Sequence, residues 1–303
     1  MERLILSHEV ISTLNTDQLM RLIDALGTDE LRYVVAFRHW VSFLPSRWRQ
    51  NCRRRDAQPL QTFLARLDAM PPETHPFDFA AIPERVREAG IHDLRLLSWE
   101  QDSSSGDGLL GTLWQVCEAS SGGVRPAQHG LAKLLSGAGG SNASSKDGPE
   151  DIYRLFNHLK AMRTGVTPDG LFDVLRGEGS NPGFFDQSAL VDLALRRDRA
   201  LRNDLSALVR RHTETVTLDP DHFAGLTARL DASTRDITGR KSYFGDHVRA
   251  RRVAASTLTG EDLPADLAAR MWQALESARN GAAIHHAFRA RMIRWRNRLL
   301  QNL

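Results

Sequence analysis

The sequence has little cysteine and no long hydrophobic run. Two cysteines among 303 residues, Cys52 and Cys117, are too few for a disulfide framework or a cysteine-based zinc site. No window approaches the ~18 consecutive apolar residues of a transmembrane helix, and no signal-peptide pattern opens the chain. We therefore expect a cytoplasmic protein that makes no membrane contact.

Lysine is scarce as well, with Lys133, Lys146, Lys160 and Lys241 as its only positions, so arginine dominates the basic residues. Arginine carries a planar head with several donors that suits phosphate and carboxylate groups, whereas lysine is a point charge. A GC-rich genome also favours arginine over lysine. Composition alone therefore does not distinguish selection for phosphate recognition from this genomic bias. The formal net charge of +3 excludes a histone-like polycation.

Local catalytic motifs are missing. In the Gly/Ser-rich stretch 136–149, Lys146 is followed by Asp147 where a P-loop needs Ser or Thr, and the histidines lack zinc-binding spacing. Arginines surround Cys52, a setting that lowers a thiol pKa, but no family signature accompanies it. The sequence therefore predicts no metal and no cofactor, and it favours binding over catalysis. Sites assembled from distant residues escape motif analysis.

Apolar residues recur at spacings of three and four, which predicts an all-α fold, an irregular multi-helix bundle of about a dozen helices. One helix is expected from Thr28 to Pro45 and another over Val248–Leu258. The stretch 136–149 predicts a linker between an N-terminal helical region, 1–135, and a C-terminal one, 150–303. A single domain with a long loop is the alternative.

Positive charge concentrates in three segments. The last, 279–303, has six arginines, no acid and an apolar stripe, and it predicts a basic amphipathic helix. The first segment is 38–55, in which Trp40 and Trp48 are expected to be core residues. The middle segment is 239–252, which is interpreted either as an anion site ahead of a helix or as a turn followed by a solvated basic helix face. The residues predicted to contact nucleic-acid phosphates are Arg47, Arg49, Arg53, Arg54, Arg55, Arg240, Lys241, Arg249, Arg251, Arg252, Arg291, Arg294 and Arg298.

These clusters predict a helical accessory protein that binds the backbone of DNA or RNA, as a subunit of a larger intracellular assembly. Two alternatives remain open. One is a protein–protein scaffold whose C-terminal helix docks into an acidic groove on its partner. The other is a nuclease-like enzyme with a site built from distant residues.

Overall fold

The computed structural model describes residues 14–27, 31–54, 56–102, 112–113, 115–116, 149–164 and 187–280. They belong to two compact units, each made of three stretches of the chain. The first unit draws on Met1–Phe43, Leu67–Ala143 and Thr217–Arg251, and the second on Leu44–Arg66, Ser144–Val216 and Arg252–Leu303. Residues 136–148 lie outside the described residues, so the linker stays a prediction.

Runs of helices are interrupted by single strands along the described chain, with short 3₁₀ turns at Pro72–Thr74, Pro220–Phe223 and Gly245–His247. In order the elements are α1 (Thr16–Leu26), β1 (Arg32–Phe37), α2 (Trp40–Arg54), α3 (Leu60–Asp68), α4 (Ala81–Glu88), β2 (Asp93–Ser98), α5 (Trp99–Asp102), α6 (Pro149–Thr164), α7 (Gln187–Arg197), α8 (Arg199–Arg211), β3 (Thr213–Leu218), α9 (Ala224–Thr238), β4 (Arg251–Ser256) and α10 (265–280). None of these described helices is long and apolar enough to cross a membrane.

The all-α prediction is wrong, because the described residues contain four strands in two sheets: β1 pairs with β2, and β3 with β4. The helix expected between Thr28 and Pro45 contains β1 instead. Tyr33, Val34 and Val35 are aromatic or β-branched, and such residues pack well on a pleated sheet. The apolar residues of β1 matched the spacing of one helical face only because a six-residue strand is too short to show its period of two clearly.

Pro45 does not end a helix either, since α2 runs through it to Arg54. A proline removes one backbone hydrogen bond, and the fully buried Leu44 and Trp48 on either side of it stabilise the helix by packing. The helix expected over Val248–Leu258 is β4, in which exposed Arg252 and Ala254 alternate with buried residues. That period of two marks a strand.

An aromatic cluster forms the core of the first unit. The Trp40 ring stacks on Phe79 with centroids 5.0 Å apart and meets Phe244 edge-on at 5.7 Å. The Trp40 indole N–H donates to the carbonyl oxygen of Phe77 at 2.9 Å. Trp40 is therefore a core residue, as its aromatic character favoured.

The second unit has an aliphatic core around α6, α7 and α8, with a buried charge beside it. Arg154 on α6 is fully buried and forms an ion pair with Asp151 at 3.0 Å. Its guanidinium also donates to the carbonyl oxygens of Ala57, at 3.3 Å, and Ser256, at 3.2 Å. One side chain thus ties α6 to a loop and to the end of β4.

Candidate anion-binding site

The candidate site lies in the first unit, where the parallel strands β1 and β2 end. Phe37 and Ser98 are the last paired residues of the two strands, so the residues that follow them emerge at the same sheet edge. Ligands of α/β proteins bind beyond the carboxyl ends of parallel strands. Arg38 and His39 follow β1, and Trp99 and Glu100 follow β2.

A carboxylate and a guanidinium group meet at this edge. The backbone N–H of His39 donates to Glu100 Oε1 at 2.9 Å. Burial raises the pKa of Glu100, although that hydrogen bond and the charge of Arg38 oppose the shift. Glu100 Oε2 and Arg38 Nε are both buried, and neither has a hydrogen-bond partner among the described residues.

Trp99 adds an aromatic surface to the edge. Its side chain is 44% exposed, and the Arg38 guanidinium carbon lies 5.1 Å from its ring centroid. An exposed indole offers an apolar face that can stack on another planar ring. The edge therefore presents a cation, an acceptor and a flat apolar face together.

A loop after α9 brings a second guanidinium group to the same edge. Arg240 Nη2 lies 3.9 Å from Asp102 Oδ1, and Arg240 Nη1 is buried without a hydrogen-bond partner among the described residues. Asp102 is fixed in turn, because its Oδ2 accepts the backbone N–H of Ser98 at 2.6 Å. Arg38 and Arg240 therefore flank two carboxylates that are two positions apart on α5.

Two contacts hold this loop in place. The Tyr243 hydroxyl donates to the carbonyl oxygen of Leu97, and the Tyr243 backbone N–H donates to Asp231 Oδ1 at 2.7 Å. Gly245 has a φ of +60°, and a Cβ there would stand 2.6 Å from Gln101 Nε2. The left-handed backbone at Gly245 favours glycine, whereas the Gln101 amide is the far end of a flexible side chain and can move aside.

No family model, curated protein or solved structure matches this chain. The chemistry of the site therefore follows from its own residues. Guanidinium groups bind phosphate and carboxylate groups through charge-assisted hydrogen bonds. An exposed indole stacks on a planar ring. Together these groups suit an anion that carries an aromatic ring.

The structure divides the sequence-predicted basic residues between the two units. Arg240, Lys241, Arg249 and Arg251 belong to the first, while Arg252 and the α2 arginines belong to the second. Of those whose side chains the structure describes, Arg240 alone contributes to the strand-end site. Lys241, Arg249 and Arg252 are exposed.

Several of the α2 arginines have protein partners. Arg53 pairs with Glu150 at 3.1 Å, and Arg47 donates to Gln50 at 3.1 Å. Arg49 is half-buried, and the side chain of Arg54 is not described. Arg55, Arg291, Arg294 and Arg298 lie outside the described residues, as does the expected C-terminal helix beyond residue 280.

The prediction of a lowered Cys52 thiol pKa is wrong. Cys52 is fully buried, and burial raises its pKa well above the usual value, with Asp56 adding to the shift. Arg53, the arginine that follows it, pairs instead with Glu150. Cys52 is a structural residue.

Sequence reasoning singled out Arg38 only as part of a basic cluster, and it missed Trp99 and Glu100. The sequence carries only a weak signal for both. Arg32–Phe37 and Asp93–Ser98 are short apolar runs rich in Val and Leu, and a helix begins within three residues of the end of each. Such runs are compatible with parallel strands, but six residues do not distinguish a strand from a buried helix segment.

We expect acid to destabilise the first unit through His39. Its side chain is 2% exposed, and burial lowers its pKa from 6.5 to about 4. Below pH 6.5 the unfolded chain binds a proton that the folded chain excludes. The free energy of unfolding should thus fall by roughly 3 kcal/mol as the pH drops from 6.5 to about 4.

Urea unfolding at several pH values checks this expectation in the parent and in His39→Asn, whose amide oxygen replaces the imidazole Nδ1 that accepts from the Val41 N–H. The variant should lose most of the pH dependence. His75, whose pKa burial also lowers, contributes to the pH dependence that remains. His92→Gln, at an exposed position, is the matched control. Equal pH dependence in parent and His39→Asn would contradict the prediction.

Proposed function

We propose that the protein binds a nucleotide at the carboxyl ends of β1 and β2. The observation that carries the proposal is the pair of buried atoms, Arg38 Nε and Glu100 Oε2, that have no partner among the described residues. An unsatisfied buried polar atom costs about 1–3 kcal/mol, and a bound ligand removes that cost. Exposed Trp99 precedes Glu100 in the sequence, and its ring centroid lies 5.1 Å from the Arg38 guanidinium carbon.

Each group matches one part of a nucleotide. The guanidinium groups of Arg38 and Arg240 bind the phosphate. Trp99 stacks on the base, and stacking is sequence-tolerant because every base has a π-face. Glu100 accepts a hydrogen bond from a sugar hydroxyl, as acidic residues do in dinucleotide-binding folds.

Titration calorimetry with AMP, GMP and UMP tests the proposal, with adenosine and inorganic phosphate as the separate halves of a nucleotide. Arg38→Gln should weaken nucleotide binding at least ~10-fold, since a hydrogen bond to a charged group contributes about 1.5–3 kcal/mol. Arg95→Gln makes the same charge change on β2, at an exposed residue that pairs with Asp93 at 2.7 Å, and should leave binding unchanged. Equal losses in the two variants, or no binding by the parent, would reject the site.

A second candidate is binding of the nucleic-acid backbone through the segment 239–252. It is supported by the exposure of Lys241 and Arg249, which lie on the segment that begins beside the strand-end site and belong to the same unit as that site. Two phosphate contacts there would contribute about two counterions to the salt dependence of binding. This second candidate function also includes the other basic residues predicted from the sequence to contact phosphates, and the role as a subunit of a larger assembly.

Fluorescence anisotropy with labelled single strands and duplexes at low and moderate salt separates the two candidates. Under the second, Lys241→Gln/Arg249→Gln should lower the salt slope by about 2 and weaken binding to all sequences alike. Under the first alone, mononucleotides bind and polymers do not. Absence of polymer binding at low salt sinks the second candidate.

A further inference from the structure

A cavity of about 410 Å³ lies in the second unit, and none of its lining residues belongs to the strand-end site. The end of α7, the start of α8 and one face of α10 line it. Small side chains, Ala194 and Ala274, form part of its wall and leave room for a ligand. Three arginines line it as well, namely Arg197, Arg199 and Arg270, against one acid, Asp198.

Two aspartates lie beside these arginines, and both act on Arg270. Asp204 pairs with Arg270 at 2.7 Å, and Asp198 lies 4.0 Å from the other terminal nitrogen of Arg270. Asp198 also accepts the Leu201 backbone N–H at 2.8 Å. Among the described residues no carboxylate pairs with Arg197 or Arg199, so the positive charge of the wall is concentrated at these two side chains.

Two of the arginines are held at the cavity by other parts of the chain. Arg197 donates through Nη1 to the carbonyl oxygen of Ser277 at 3.1 Å, and Arg270 is fixed by Asp204. A guanidinium carries five N–H donors, so one such contact positions the group without exhausting it. Arg199 is exposed at the rim.

We infer that this cavity binds a small organic or inorganic anion with at least two acidic groups, phosphate or carboxylate. The guanidinium groups of Arg197 and Arg199 match two acidic groups, because arginine recognises phosphate and carboxylate through paired hydrogen bonds. A single negative charge would leave one of these two arginines uncompensated. The volume of about 410 Å³ admits a compact anion of this kind.

Titration calorimetry with pyrophosphate and with citrate, at constant ionic strength, tests the inference on the full chain. Both anions carry the shared chemistry, and the tighter one identifies the acidic group. Arg197→Gln/Arg199→Gln should weaken binding at least ~10-fold. Arg210→Gln/Arg211→Gln makes the same charge change on exposed residues at the other end of α8, and should weaken it less than ~3-fold.

Arg199→Gln alone guards against misfolding, because Arg199 is exposed and its replacement leaves the core unchanged. This variant should still weaken binding ~3-fold or more. The comparison of Arg197→Gln/Arg199→Gln with its parent is repeated in an Arg38→Gln background, where the same ~10-fold loss is expected. Because any pyrophosphate binding at the strand-end site is weakened equally in both chains of that comparison, the result is independent of the nucleotide proposal. Equal losses in the two double variants would reduce the effect to net charge and overturn the inference. Failure of the parent to bind either anion would overturn it as well.

Discussion

Replacing Arg154 with methionine should lower the free energy of unfolding of the second unit by about 3–5 kcal/mol. The side chain is 0% exposed, and its removal leaves the carboxylate of Asp151 buried without its counter-charge. Two carbonyl oxygens, of Ala57 and Ser256, lose a donor at the same time. Methionine fills much of the volume, so the loss reflects charge and hydrogen bonding more than a cavity.

Chemical denaturation followed by far-ultraviolet circular dichroism measures this effect. Arg163→Met on the same helix is the control, because Arg163 is exposed and only covers the Trp272 ring at 4.8 Å. Arg163→Met should lower the free energy of unfolding by less than about 1 kcal/mol. The double variant Arg154→Met/Asp151→Asn should recover part of the loss, since it removes the uncompensated charge. A cost below about 1 kcal/mol for Arg154→Met would contradict the prediction.

The destabilisation caused by Arg154→Met should also shrink at acidic pH. Burial already raises the pKa of Asp151, and Arg154 opposes that shift. Without the guanidinium the pKa of Asp151 rises further, so the folded variant binds a proton at a pH where the unfolded chain does not. Comparing the variant with the parent at neutral and at mildly acidic pH shows whether the buried charge is the cause.

Replacing Trp40 with alanine should destabilise the first unit by about 3–5 kcal/mol. Trp40 is fully buried and contacts Phe79 and Phe244, so its loss opens a cavity in the aromatic cluster. The carbonyl oxygen of Phe77 also loses its donor. The hydrophobic and polar parts of the effect therefore add.

Trp40→Phe separates the two parts. It keeps a stacked ring and removes the indole N–H, so we expect a smaller loss of about 1–3 kcal/mol. Trp99→Phe is the matched control at an exposed position, with an expected change within about 0.5 kcal/mol. Urea titration of each variant measures the differences. Stability of Trp40→Ala within about 1 kcal/mol of the parent would show that the cluster repacks.

Helices with full apolar faces could be predicted from the sequence, and the strands could not. The helix at 149–164 is confirmed as α6, whose Ile152, Leu155 and Phe156 are buried together. In β1 and β4, six residues are too few to distinguish a period of two from a period of 3.6. Arginine hides the pattern further in β4, because Arg251 and Arg252 stand next to each other.

Most of the candidate site stayed hidden for the same reason. Arg38 and Glu100 are 62 positions apart in the sequence, and they meet only because β1 and β2 lie parallel in register. A motif search needs neighbours in sequence, whereas this site is made of neighbours across a sheet. Once the two strands are assigned, the position of the site at their carboxyl ends follows from general rules.

The way each unit is assembled from three stretches has a practical consequence for dissecting the molecule. A truncated chain that stops near residue 143 would keep Met1–Phe43 and Leu67–Ala143 of the first unit but lose Thr217–Arg251, which includes the Arg240 loop. The truncated chain would also contain Leu44–Arg66, which belongs to the second unit, without the other two stretches of that unit. Fragments expressed separately should therefore fold poorly, while point substitutions in the whole chain leave both units intact for study.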